Sequence, residues 1–186
     1  SKVEDLIRRL KTLLDDLRRI SREVDEKIKE ILKEVERHSK EVIDRIKDIL
    51  RRVEEIVRRK GGEDEEVVEE LRRVVEEVER LLREDVKEID RVVKEVRDLL
   101  RRSVEIIEEI VKRVRDLVEE IKRDNIDKRL VERVEKVARE VEEAVRKLIE
   151  KNKESVERAE ETARRLIERS KRAVDEARRK IEELRR

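Results

Sequence analysis

Proline, cysteine, methionine and all three aromatic residues are absent from this sequence, glycine occurs twice and histidine once. Without cysteine there is no disulfide and no thiolate chemistry, and the redox compartment is left open. Without an aromatic ring there is no platform for stacking a nucleobase. Charge of one sign is also missing: 54 Lys and Arg stand against 53 Asp and Glu, a net +1. So small an excess creates no field to attract nucleic acid or an anionic membrane. Apolar runs stop at two residues, as in Leu13-Leu14 and Val92-Val93, which excludes both a transmembrane span and a signal-peptide core. A start at Ser1 suggests a trimmed tag or initiator.

What remains is highly charged, at 58% Asp, Glu, Lys and Arg against 35% hydrophobic residues. Such a balance suits a disordered chain, but disorder lacks regular apolar spacing, and here the spacing is strict. Apolar positions recur every eighteen residues: Leu10, Ile28 and Ile46 share a phase, as do Leu17, Val35 and Val53. Further along, Leu71, Ile89 and Ile107 align, then Leu148, Leu166 and Leu184. Eighteen residues make five turns at about 3.6 residues per turn, so an α-helix keeps this stripe on one side without supercoiling. The stripe is roughly 140° wide, enough to face two neighbours. A chain of 186 residues is long enough for a sizeable core.

Two places interrupt the pattern. At Lys60-Gly61-Gly62-Glu63-Asp64 the glycines supply the positive φ that closes a helix, and the acidic residues favour the next N-terminus. At Arg123-Asp124-Asn125-Ile126-Asp127, Asn125 suits a left-handed cap and Asp127 an N-cap, with Ile126 placed to staple onto Val131. Ser1 and Glu4 have capping-box spacing. The expected fold is all-α, an up-down-up antiparallel bundle of three long, nearly straight helices, about 2–60, 64–123 and 127–185, forming one domain over 1–186. Residues 1–60 carry +4, 63–123 carry −6 and 124–186 carry +3, a pattern that steers helix pairing at modest energy per exposed pair.

The eighteen-residue phase, the Val/Ile/Leu core of the first two helices, the Glu/Lys/Arg exterior and the KGGED and DNID connections together resemble de novo designed parametric helical bundles over the whole length. The resemblance implies a structural scaffold with designed buried hydrogen-bond networks.

A few polar residues break the apolar phase. His38 shares the phase of Ile20 and Ile56 at a stripe edge, Ser21 and Ser39 that of Val3 and Val57, and Asp85 and Ser103 that of Val67 and Ile121. Asn152 and Ser170 share the central phase of Val134, with Ser155 and Thr162 to one side. A mirror through the glycine turn brings His38 level with Asp85 and Ser21 level with Ser103, and a second fold brings Thr162 to the His38–Asp85 level. One reading is a buried network of His38, Ser39, Asp85 and Thr162, with Ser21 and Ser103, which sets register and makes His38 a pH sensor in its sharpest form. The plainer reading keeps His38 in water and lets Asp85 reach a nearby Arg.

Catalysis finds little support, since Ser39 adjoins His38 on one helix and no oxyanion hole is visible. One His with scattered carboxylates is no metal site, Gly61-Gly62 lacks the pattern of a phosphate loop, and no cofactor or small molecule is expected. Arginine pairs such as Arg51-Arg52 read as solvated faces.

In the third helix, Ala138, Ala144, Ala159, Ala163, Ala173 and Ala177 make a smaller face, through close helix approach or by meeting something outside the chain. The same mirror sets Asn152 beside Val96 and Lys27, without a polar mate. An inward Asn often specifies oligomer state, so Asn152, Ser155 and Ser170 offer an interface for a second copy or a designed helical partner. The expectation is a soluble scaffold, cytoplasmic on recombinant expression, that requires no partner. The alternative is an interaction module that works through helix three.

Overall fold

The computed structural model describes residues 2–124 and 127–186. Three helices follow in order: α1 Lys2–Lys60, α2 Glu65–Asp124 and α3 Lys128–Arg185. Gly61 closes α1 with a φ of 84°, its amide donating to the Val57 carbonyl at 2.8 Å, a conformation that would strain an L side chain. Gly62 serves a different need. A Cβ there would stand 2.6 Å from the Leu184 carbonyl oxygen at the end of α3, so the missing side chain permits a close backbone approach.

The next helix starts on Asp64, whose Oδ1 accepts from the Glu66 amide at 2.9 Å. Asp127 does the same for α3 through the Arg129 amide at 3.0 Å. Both aspartates satisfy an amide that the helix itself leaves without a partner. The capping roles expected of Ser1, Asn125 and Ile126 fall outside the described residues.

Packing divides the chain into two compact units, and each helix contributes to both. Unit 1 comprises Ser1–Lys29 and Glu95–Arg158; unit 2 comprises Glu30–Lys94 and Ala159–Arg186. In unit 1 the core joins Leu6, Leu10 and Leu17 of α1 to Ile107 and Val114 of α2 and to Val134, Val141 and Val145 of α3. In unit 2 it joins Ile46, Leu50 and Val53 to Leu71, Val74 and Val78 and to Val174, Ala177 and Ile181. A smaller cluster in the same unit holds Val35, Ile89, Val92, Ala163 and Leu166. Each fully buried aliphatic side chain contributes about 1.5–3 kcal/mol before entropy, and the stripe on all three helices is what supplies each cluster from three sides.

Helix direction follows from the cross-helix contacts. In unit 1 the partner of α2 falls from Glu142 to Glu135 as the number on α2 rises from Arg115 to Lys122, so α2 and α3 are antiparallel. Also in unit 1, Ser21 meets Asn152 and Asp25 meets Ser155, both numbers rising together, so α1 and α3 are parallel. In unit 2, Ser39 meets Asp85 and Arg45 meets Glu77, and α1 and α2 are antiparallel. The order is up-down-up. Among the described residues no helix is long and apolar enough to cross a membrane.

Candidate functional site

The eighteen-residue phase that places apolar side chains inward places polar ones inward too. In unit 2, α1 supplies Ser39, α2 supplies Asp85 and α3 supplies Ser170, and all three are buried. Ser170 Oγ donates to Asp85 Oδ2 at 2.6 Å. Ser39 Oγ lies 3.3 Å from the same oxygen and 3.3 Å from Ser170 Oγ. A hydroxyl carries one proton. With the Ser170 proton committed to Asp85 by the short bond, the Ser39 proton is shared between Asp85 and Ser170. One side chain from each helix therefore meets at one oxygen.

Asp85 is 0% exposed, and its other oxygen, Oδ1, is buried with no hydrogen-bond partner. No cation is within salt-bridge distance of it among the described residues. Burying a carboxylate in this way costs more than two hydroxyl donors return.

Unit 1 holds a second layer one repeat away along each helix, made of Ser21, Ser103 and Asn152. Ser21 Oγ donates to Asn152 Oδ1 at 3.1 Å. Asn152 Nδ2 and Ser103 Oγ are buried without a partner. The long polar side chain has moved from α2 to α3, and from a carboxylate to an amide. A further pair lies close by: Ser155 Oγ donates to Asp25 Oδ1 at 2.7 Å, with Lys151 Nζ 3.7 Å from the same carboxylate.

The fold matches that of a computationally designed three-helix bundle. The likeness has a TM-score of 0.68 and covers 98% of this chain and 87% of that one, at 21% sequence identity. No protein-family model and no curated protein matches the sequence. The similarity to a designed three-helix bundle extends to three long helices packed on one another, and it leaves the polar layers to be read from their own geometry.

In this three-helix bundle, several expected residues stand elsewhere than the mirror construction put them. His38 is exposed and takes no part in the Asp85 cluster. Its phase mates Ile20 and Ile56 are only half-buried, so the stripe edge at that position opens to solvent. Thr162 is half-buried and accepts from Arg165 at 3.3 Å, away from Asp85. Asn152 and Ser170, offered as an outward interface, are fully buried with partners inside the chain, and Ser155 is buried against Asp25.

The cause is register. The α1–α2 mirror holds, with Ser39 against Asp85 and Arg45 against Glu77, but on α3 Asp85 meets Ser170 rather than Thr162, about two turns further along. The parallel pairs between α1 and α3, Ser21 with Asn152 and Ser39 with Ser170, are accordingly 131 residues apart, whereas the mirror set Asn152 beside Lys27. The alanines of α3 follow the same inward path, with Ala138, Ala159, Ala163 and Ala177 buried. Asp25, absent from the expected network, carries a signal in the sequence: it shares the eighteen-residue phase of the buried Ile7 and Ile43.

Outside the layers, Glu88 is held by the guanidinium of Arg91. That hydrogen bond, with the charge of Arg91 and a smaller pull from His38, outweighs partial desolvation and keeps the Glu88 carboxyl below the ordinary glutamate range. Among the described residues no three acidic or histidine side chains converge to hold a metal ion.

Proposed function

We propose that this chain is a designed structural scaffold in which the two buried polar layers set the register of the helices. The observation that carries the reading is the meeting of Ser39, Asp85 and Ser170, one from each helix, at a single carboxylate oxygen. An apolar stripe that repeats every eighteen residues is tolerant of sliding, because a Val or Ile in one layer resembles the Val or Ile in the next. A buried polar group is not tolerant, since any shift separates it from its partner at a cost of about 1–3 kcal/mol. Polar layers therefore trade stability for a single alignment. The mechanism is mechanical: buried side chains hold the helices in place, and no reacting group takes part. With Asn152, Ser155 and Ser170 engaged inside the chain, the residues that would have carried an interaction module have other work, and a single copy is the functional form.

The test replaces the unit 2 layer by Ser39→Val, Asp85→Val and Ser170→Val, matching the valines already found in these phases. Two-dimensional amide spectra of the parent should show one sharp set of signals, and the variant should show extra or broadened signals from alternative alignments. A single sharp set in the variant would assign register to the apolar stripes alone and end the proposal. Light scattering coupled to size exclusion should give 22.6 kDa at all concentrations; a stable multiple would restore the interaction reading.

A further inference from the structure

Two of the buried polar atoms without a partner belong to the same layer. Asn152 Nδ2 is on α3 and Ser103 Oγ is on α2, both in unit 1. The register of the Arg115–Glu142 and Lys122–Glu135 pairs, continued along α2 and α3, brings Ser103 to within a turn of Asn152. Ser21, the third member, has spent its only proton on Asn152 Oδ1 and keeps lone pairs free to accept. An amide donor, a hydroxyl that can give or take, and a hydroxyl with spare acceptor capacity thus stand buried at about one level on three helices. Side chains differ in reach between the two layers. On α2, Asp85 extends far enough to receive both serines directly, whereas Ser103 ends one heavy atom past its Cβ.

We propose that the polar layer of unit 1 is a binding site for one buried water molecule, bridging Asn152 Nδ2, Ser103 Oγ and Ser21 Oγ. The Asn152 amide donates to the water oxygen, and the two water protons go to the serine oxygens. Three partners are what a buried water typically has, and a bridging water satisfies donors and acceptors nearly as well as direct bonds do. Leaving both atoms bare would incur the full desolvation cost of each. Among the described residues, Asp85 Oδ1 has no second unpartnered atom beside it in its own unit and so defines no comparable bridge. The site goes beyond the scaffold reading and does not depend on the layer setting register.

Oxygen-17 magnetic relaxation dispersion of the full-length protein tests this, because it counts long-lived waters without interference from exchanging hydroxyl protons. The parent should show a dispersion that falls by the amplitude of one water in Ser103→Asn, whose longer side chain reaches Asn152 directly. Should that variant fail to fold, Ser21→Val with Ser103→Val and Asn152→Val removes the site by making the layer apolar, and the same loss is expected. A parent without dispersion, or an amplitude unchanged in a folded variant, would overturn the proposal.

Discussion

The two units solve one packing problem with different chemistry. Each has a core of Val, Ile, Leu and Ala and each interrupts it with one polar layer built from equivalent phases of the three helices. Unit 2 uses a carboxylate with two hydroxyl donors on one oxygen. Unit 1 uses an amide with one hydroxyl donor and leaves a neutral donor and a neutral hydroxyl over. Charge makes the difference. A buried carboxylate is expensive to desolvate and depends strongly on its few donors, while an amide is cheaper to bury and loses less when one bond is removed. Unit 2 gains the more exacting alignment and carries the larger penalty if that alignment fails.

The comparison breaks most readily at the donors of Asp85. Ser39→Ala combined with Ser170→Ala leaves a buried carboxylate with no partner and should destabilise the chain by about 3 kcal/mol in guanidinium denaturation followed by far-UV circular dichroism. A loss under about 1 kcal/mol would mean that solvent reaches Asp85 and that the two layers are energetically alike. Removing the whole unit 2 layer with Ser39→Val, Asp85→Val and Ser170→Val should act the other way, raising stability by about 2 kcal/mol, since well-packed apolar groups outdo a buried charge. Equal gains from the matching triple change in unit 1 would show that the carboxylate bears no special penalty. Ser21→Ala isolates the neutral layer: it should cost about 1 kcal/mol by stripping the donor from Asn152 Oδ1, well below the double alanine change in unit 2.

The smallest effect sets a surface pair against the buried layers. Glu88 has its carboxyl lowered in the folded state, chiefly by Arg91. Its stabilisation is therefore present above the ordinary glutamate range and is lost as pH falls through the lowered value. With the Glu88 side chain 37% exposed, that amounts to less than about 0.5 kcal/mol. Comparing pH-dependent denaturation of the parent with Glu88→Gln should show this small difference at neutral pH and its disappearance on the acidic side. A difference at neutral pH that rivals Ser21→Ala would refute the ranking.

Much of the fold was legible because a helix imposes its period on every residue it contains. The eighteen-residue phase of Leu10, Ile28 and Ile46 fixes which side of α1 is buried, and Gly61, Asp64 and Asp127 mark where helices end and begin. The same phase pointed Ser39, Asp85, Ser103 and Asn152 inward. It also points Asp25 inward, since that residue stands between Ile7 and Ile43 in phase. His38 was ambiguous for a physical reason: a long side chain at a stripe edge turns to water or to the core depending on how closely the neighbouring helix approaches.

The sequence by itself determined the helices, their ends, the inward face of each and the polar positions on those faces, since all of these are properties of one helix at a time. Tertiary structure decided which polar residues meet. Ser21 finds Asn152 and Asp85 finds Ser170 because α3 packs about two turns away from the mirror through its loop. A repeating stripe looks the same after a slide, so periodicity is blind to that offset, and only the packed helices resolve it.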